Sequence, residues 1–224
     1  MKFELRKNSV AQVLAIALCG SIATTANSAP AFITDGVGTS ATIADAGYFA
    51  PGGVGLSYLG REFVNWDILA SNYSLNANGA SVGIADEVTG SNPFGASVIF
   101  DGTNAAVTAS FGGGWSFVET VSIPTPGHLA VQVQLTNNTG TDATHVQWGV
   151  GFDPDQGVAV GTGNGTTNVI NAVGNASSVT ATSLDGATIT LANTTGASAF
   201  AINPYVDPSA CCSPVDPALM LAAA

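Results

Sequence analysis

The chain has 224 residues and a formal net charge of -11, and only 8 % of its residues are charged, against about 25 % in an average soluble domain. Three of the four basic residues, Lys2, Arg6 and Lys7, stand at the extreme N-terminus, so Arg61 is the lone cation of everything that follows. This balance excludes a nucleic-acid binder, which needs cations to neutralise phosphate, and with it a P-loop nucleotide site, a lysine Schiff-base enzyme and a binder of anionic lipid.

The N-terminal segment has a basic start, an apolar run from Val10 to Ala23 and then small residues. That is the plan of a secretory signal peptide, here expected over residues 1–31. Small-x-small triplets place cleavage after Ser28 (Ala26-Asn27-Ser28) or after Ala31 (Ala29-Pro30-Ala31), so the exported chain starts at Ala29 or Phe32. The apolar run is shorter than the roughly 18 residues that span a bilayer, and no stable membrane span is expected in the mature chain. Removal of the leader leaves Cys211 and Cys212. Two adjacent cysteines cannot close a long loop, and no Cys/His spacing suggests zinc.

Residues 32–202 read as one all-β domain, a two-sheet antiparallel β-sandwich. Short alternating runs recur between Gly, Asn and Pro clusters, and helical stripes are missing. About ten to twelve such strands suit a two-sheet packing. Val64, Trp66 and Ile68 share one face; Val107, Ala109 and Phe111 share another. Trp115, Phe117, Glu119 and Val121 form a third set, with Gly112-Gly113-Gly114 as the turn before it. Asn78-Gly79 marks a hairpin after Tyr73 and Leu75. The clearest strands are Leu129–Leu135 and His145–Phe152, whose apolar phases are Leu129, Val131, Val133, Leu135 and Val146, Trp148, Val150, Phe152. The Asn- and Gly-rich stretch between them reads as a turn, which makes 129–152 an antiparallel hairpin with one face in the core. Further strands are expected over 168–173, 178–184, 188–191 and 199–202. Residues 203–224 form a Pro-rich tail ending on Leu219-Met220-Leu221-Ala222-Ala223-Ala224, an apolar ending expected of a truncated sequence.

The strongest candidate for chemistry is Gly151-Phe152-Asp153-Pro154-Asp155-Gln156-Gly157. Asp153 and Asp155, on a Pro turn at a strand end, could converge on calcium, which takes six to eight oxygens. Thr162, Asn164, Thr166, Thr167 and Asn168 could complete the shell. Calcium is the one cofactor the sequence admits. The competing reading is a turn whose carboxylates accept backbone N–H groups. Gly161-Thr162-Gly163-Asn164-Gly165 lacks the helix and lysine of a phosphate loop. His128 and His145 have no nucleophile motif around them. Glu62, Glu87 and Glu119 are the only glutamates after the leader. Glu119 is unusual, for it falls on the core-facing phase of its strand. Arg61, beside Glu62, reads as half of a structural ion pair. Trp66, Trp115 and Trp148 all fall on apolar phases, which points to core rather than to a sugar-stacking row.

The segments V-Q-L-T-N-N-T-G (Val133–Gly140), V-Q-W-G-V-G-F-D-P-D-Q (Val146–Gln156) and T-T-N-V-I (Thr166–Ile170) resemble a β-sandwich ectodomain module of bacterial secreted and surface proteins. The tail from Pro214 to Leu221 is similar to the start of a PEP-CTERM sorting tail, without its Pro-Glu-Pro core or basic cluster. The resemblance implies an exported, noncatalytic cell-surface or extracellular protein, structural or adhesive, with an extracellular polysaccharide or a cell-surface protein as partner. The alternatives are a lectin-like carbohydrate-binding module, which needs an exposed aromatic row, and a secreted glycosidase, which needs two carboxylates across a cleft.

Overall fold

The computed structural model describes residues 30–49, 55–64, 71–86, 90–111, 113–172 and 178–194. The expectations for Trp66, Ile68, Glu87, Cys211, Cys212, the leader, the strand at 199–202 and the Pro-rich tail lie outside the described residues. Among the described residues the chain is all-β, with strands arranged in four antiparallel sheets and one short 3-10 turn. No helix among them is long and apolar enough to cross a membrane.

The first sheet is formed in order by β1 (Ala31–Thr34), β2 (Thr39–Ile43), β3 (Leu56–Tyr58) and β4 (Arg61–Val64). Its first turn is built by Asp35, whose Oδ1 accepts the N–H groups of Val37, Gly38 and Thr39 at 2.8–2.9 Å. Burial alone would raise this carboxyl, but the bonds from Thr39, Val37 and Gly38 hold it at about 2, as expected of a carboxylate collecting backbone donors.

β5 (Ser71–Ala77) and β6 (Ala80–Asp86) form a hairpin in the second sheet. Its turn is Asn78-Gly79, as expected. Both residues have positive φ (57° and 77°), the combination a two-residue type I′ turn requires. The third sheet runs β10 (His128–Asn137), β9 (Trp115–Thr125), β8 (Ala105–Phe111), β7 (Ser97–Phe100). β8 and β9 are the expected hairpin across the glycine turn. Gly114 cannot be replaced there, because a Cβ would meet the backbone of Thr139 at 2.9 Å. The T-N-N-T-G loop therefore packs on this turn, with Asn138 N–H donating to the Gly114 carbonyl at 2.6 Å.

The hairpin expected over 129–152 is not formed. β10 pairs with β9, whereas β11 (Gln147–Phe152) pairs with β5 in the second sheet. The connecting loop crosses between sheets and is fastened to the β5–β6 turn. Asn78 N–H donates to the Thr144 carbonyl at 2.9 Å, and Thr144 N–H returns a bond to Asn78 Oδ1 at 2.8 Å. His145 is an exposed loop residue at φ 52° rather than the first residue of a strand. The chain ends its described part in the fourth sheet, β12 (Thr166–Ala172), β13 (Ser178–Ser183) and β14 (Thr188–Ala192).

One hydrophobic core joins the first three sheets. Ala31, Ile33, Ala41 and Ile43 come from the first, Tyr73, Leu75 and Ala85 from the second, and Val107, Trp115, Phe117 and Val121 from the third. At its centre Tyr73 stacks on Phe94 at 5.4 Å and on Trp148 at 5.0 Å, and Phe117 meets each of these three rings edge-on. Each such pair contributes about 0.5–1.5 kcal/mol beyond its buried area. The apolar phase of β10 is only half covered, and Val131 is 46 % exposed. The period of that strand was legible, and the strand lies at the edge of its sheet.

Candidate functional site

The D-P-D-Q segment leaves β11 and turns back along β4. Asp155 N–H donates to the Phe63 carbonyl at 3.0 Å, and this bond aligns the loop with the edge of the first sheet. The 3-10 turn Val158–Val160 follows. Gly157 is required here, because a Cβ would collide with the carbonyl of Gly163. The glycine-rich stretch is thus a loop folded onto its own start, with Thr162 Oγ1 donating to the Gly157 carbonyl.

Asp153 is half-buried and Asp155 is buried. Thr166 bonds to Asn168 at the start of β12. Among the described residues no group of three or more His, Cys, Asp or Glu side chains is placed to hold a metal ion. A cation at Asp153 and Asp155 would have to draw the rest of its shell from main-chain and amide oxygens.

The residue at the centre of this region is Gln156, which the sequence reading passed over. Its side chain is fully buried, with Nε2 donating to the carbonyls of Ala181 (3.1 Å) and Ala187 (3.2 Å). Its Oε1 has no hydrogen-bond partner among the described residues. Above it lies Arg61. Nε and Nη2 both donate to the Gln156 carbonyl (2.8 and 2.6 Å), while Nη1 and Nη2 fork onto the two carboxylate oxygens of Asp185 (2.7 and 2.8 Å). Ser183 Oγ donates to Asp185 Oδ1 at 2.5 Å. The Arg61 fork, with the Ser183 hydroxyl, holds the Asp185 carboxyl far below the usual carboxylate range. The expected ion pair of Arg61 exists, but its partner is Asp185 rather than the adjacent Glu62.

This cluster is a latch. Arg61 belongs to the first sheet, Gln156 to the loop after the second, Ser183 to the end of β13 in the fourth, and Asp185 to the β13–β14 turn. A planar guanidinium suits such a junction because its donors are fixed in a fork. Replacing Gln156 by Ala is expected to cost about 2–3 kcal/mol, since two buried bonds vanish and a void remains. Urea denaturation should show it as a lower midpoint, and Arg61→Lys should also lower the midpoint because an ammonium cannot fork.

The glutamates lie apart. Glu62 pairs in register with Ser57, and burial raises its carboxyl; Oε2 is buried without a hydrogen-bond partner among the described residues. Glu119 is 4 % exposed inside the core-facing side of the third sheet, between Val107 and Val133 of the neighbouring strands. Burial pushes its carboxyl up to about 8. The core phase read for Glu119 is therefore its real position. His128 is exposed, with Nδ1 near Thr125 Oγ1 (3.0 Å) and the Pro126 carbonyl (3.1 Å). Trp115 is buried and Trp148 packs half-buried against the core, as the apolar phases implied. Comparison with protein-family models, curated proteins and solved structures finds no match for the chain.

Proposed function

We propose that the protein is an exported, noncatalytic constituent of a bacterial cell surface or extracellular layer, with a structural or adhesive role. The observation that carries this reading is how the polar side chains are used. Arg61, Gln156, Ser183 and Asp185 bond to one another and to main-chain carbonyls between sheets. Glu119 is enclosed among apolar neighbours rather than set in an open cleft. The groups able to do chemistry serve to hold the fold together. The aromatic-row lectin draws no support from Trp115 or Trp148, whose rings belong to the core. The N-terminal pattern supports export, and the acidic, nearly cation-free composition suits a solvated outer surface.

The test is fractionation of cells expressing the whole gene, with N-terminal sequencing of the exported protein. Ala31 is 3 % exposed and pairs with Ile43 in β1. Cleavage after Ala31 would remove a core residue, so the expected N-terminus is Ala29. Protein retained in the cytoplasm with Met1 in place would overturn the reading.

A further inference from the structure

We propose that Asn164 is a site of self-modification: the main-chain nitrogen of Gly165 attacks its carboxamide, and water opens the resulting ring to aspartate and isoaspartate. The chain has two Asn-Gly pairs, Asn78-Gly79 and Asn164-Gly165. Glycine on the C-terminal side favours the reaction because no Cβ crowds the approach of its nitrogen to the asparagine side chain. By sequence the two pairs are equivalent. The fold makes one of them closed to the reaction and the other open.

Asn78 is held where cyclisation needs it free. Its Oδ1 accepts the Thr144 N–H at 2.8 Å, and its own N–H donates to the Thr144 carbonyl at 2.9 Å. Its main chain is fixed at φ 57° in the turn that β5 and β6 close on either side. To reach the Gly79 nitrogen, the side chain would have to leave Thr144 and the turn would have to open. Asn164 and Gly165 instead lie between two anchored points. Before them, Thr162 N–H and Oγ1 both donate to the Gly157 carbonyl, and the Gly163 carbonyl packs against Gly157. After them, Thr166 enters β12 opposite Ser183. The two residues between are exposed, and neither their main chain nor the Asn164 side chain makes a hydrogen bond among the described residues. Nothing lies within 4 Å of where a Cβ of Gly165 would stand. The nucleophile and the carbon it attacks are therefore both unengaged, in a segment whose flanking glycines leave the main chain free to turn.

Water is the only co-reactant. The Gly165 nitrogen gives up its proton and bonds to Asn164 Cγ; the Cγ–Nδ2 bond breaks, and ammonia leaves with that proton. Water then adds across one of the two carbonyl–nitrogen bonds of the cyclic imide. Breaking the bond at Cγ restores the ordinary main chain and leaves aspartate. Breaking the bond at the main-chain carbonyl routes the chain through the side chain and leaves isoaspartate, which lengthens the backbone between Gly163 and Thr166. Both products put a carboxylate where a neutral amide stood, so an already acidic chain gains negative charge with age. Attack requires a deprotonated nitrogen, and conversion accelerates as the pH rises.

The experiment incubates the folded protein at mildly alkaline pH in water enriched in heavy oxygen and follows both Asn-Gly pairs by peptide mass spectrometry. Pepsin is the protease of choice: its acid pH stops the reaction, and a chain with no lysine or arginine after Arg61 gives trypsin nothing to cut near either pair. Fragmentation of the labelled peptides separates aspartate from isoaspartate. Asn164 is expected to convert at least about tenfold faster than Asn78, a barrier difference of roughly 1.4 kcal/mol, with isoaspartate among its products. In urea the two pairs should convert at similar rates, because the difference belongs to the fold. Gly165→Ala should slow conversion of Asn164 at least about tenfold without moving the melting curve, since Gly165 is outside the left-handed region and has open space around it. Folded protein in which Asn164 converts no faster than Asn78 would overturn the proposal, and that comparison within one molecule needs no variant. So would aspartate as the sole product at Asn164, which marks direct hydrolysis without the ring. The chemistry needs only the folded chain and water, so a failure of export would refute the surface reading and leave this result standing.

Discussion

Raising the pH from 5 to 8 is expected to remove roughly 3–4 kcal/mol of folding stability, and Glu119→Gln is expected to abolish most of that loss. The carboxyl of Glu119 lies 4 % exposed between Val107 and Val133, and burial pushes it up to about 8 in the folded protein. In the unfolded chain it titrates at its ordinary value of 4.5. Between those two values the folded state keeps a proton that the unfolded state has released. Stability therefore falls as the pH rises through this window, at about 1.4 kcal/mol per unit, and levels off above about 8. The neighbouring phenol points the same way: burial first, and then the charge of Glu119, push Tyr73 upward. Its hydroxyl stays protonated and donates to the Ala46 carbonyl at 2.5 Å.

Glu62 is also raised by burial and adds to the same slope, with a smaller effect because it is more exposed. Asp35 and Asp185 act on the other limb. Their carboxyls are lowered in the folded protein, so their stabilisation is present above the ordinary aspartate range and is lost as the pH falls through their folded values. Together these groups place maximal stability near pH 5. Thermal melts of wild type and Glu119→Gln at half-unit pH steps would check this. Parallel profiles for the two proteins would show that Glu119 is hydrated and ionised in the folded state.

Periodicity along single strands was readable from the sequence, whereas partners across sheets were not. The alternation of Leu129–Leu135 and of the run ending at Phe152 located both strands, although Val131 and Val150 of the two apolar phases are exposed and the second strand starts at Gln147. Their pairing was misread because an Asn- and Gly-rich loop can close a hairpin or cross between sheets equally well. What decides it is the pair of bonds between Asn78 and Thr144, 66 residues apart. Arg61 was seen as an ion-pair residue, and the adjacent Glu62 was the obvious partner in sequence. The actual partner, Asp185, is 124 residues away and is brought near only when the fourth sheet docks. In D-P-D-Q the carboxylates drew attention and Gln156 was passed over. Gln156 becomes central through carbonyls of Ala181 and Ala187, which no local pattern announces. Glu119 was legible because a single glutamate on an otherwise apolar phase breaks a period-2 rule. The all-β fold was legible, and its strands are arranged in four sheets among the described residues rather than in the single pair expected.

Trp148→Ala is expected to destabilise the protein by roughly 3–5 kcal/mol, enough to unfold most small domains at moderate temperature. The indole stacks on Tyr73 at 5.0 Å and meets Phe117 edge-on at 5.1 Å, so it joins the second sheet to the third. Truncation leaves both rings facing a void that a rigid β core cannot close. Trp148→Phe should cost clearly less. It keeps an aromatic surface against Tyr73 and removes the buried Nε1–H, which has no hydrogen-bond partner among the described residues. Leaving such a donor unsatisfied costs about 1–3 kcal/mol in its own right. Denaturant titration of the two variants would separate packing from the polar penalty. An alanine variant as stable as the wild type would mean that the ring lies outside the cooperative core.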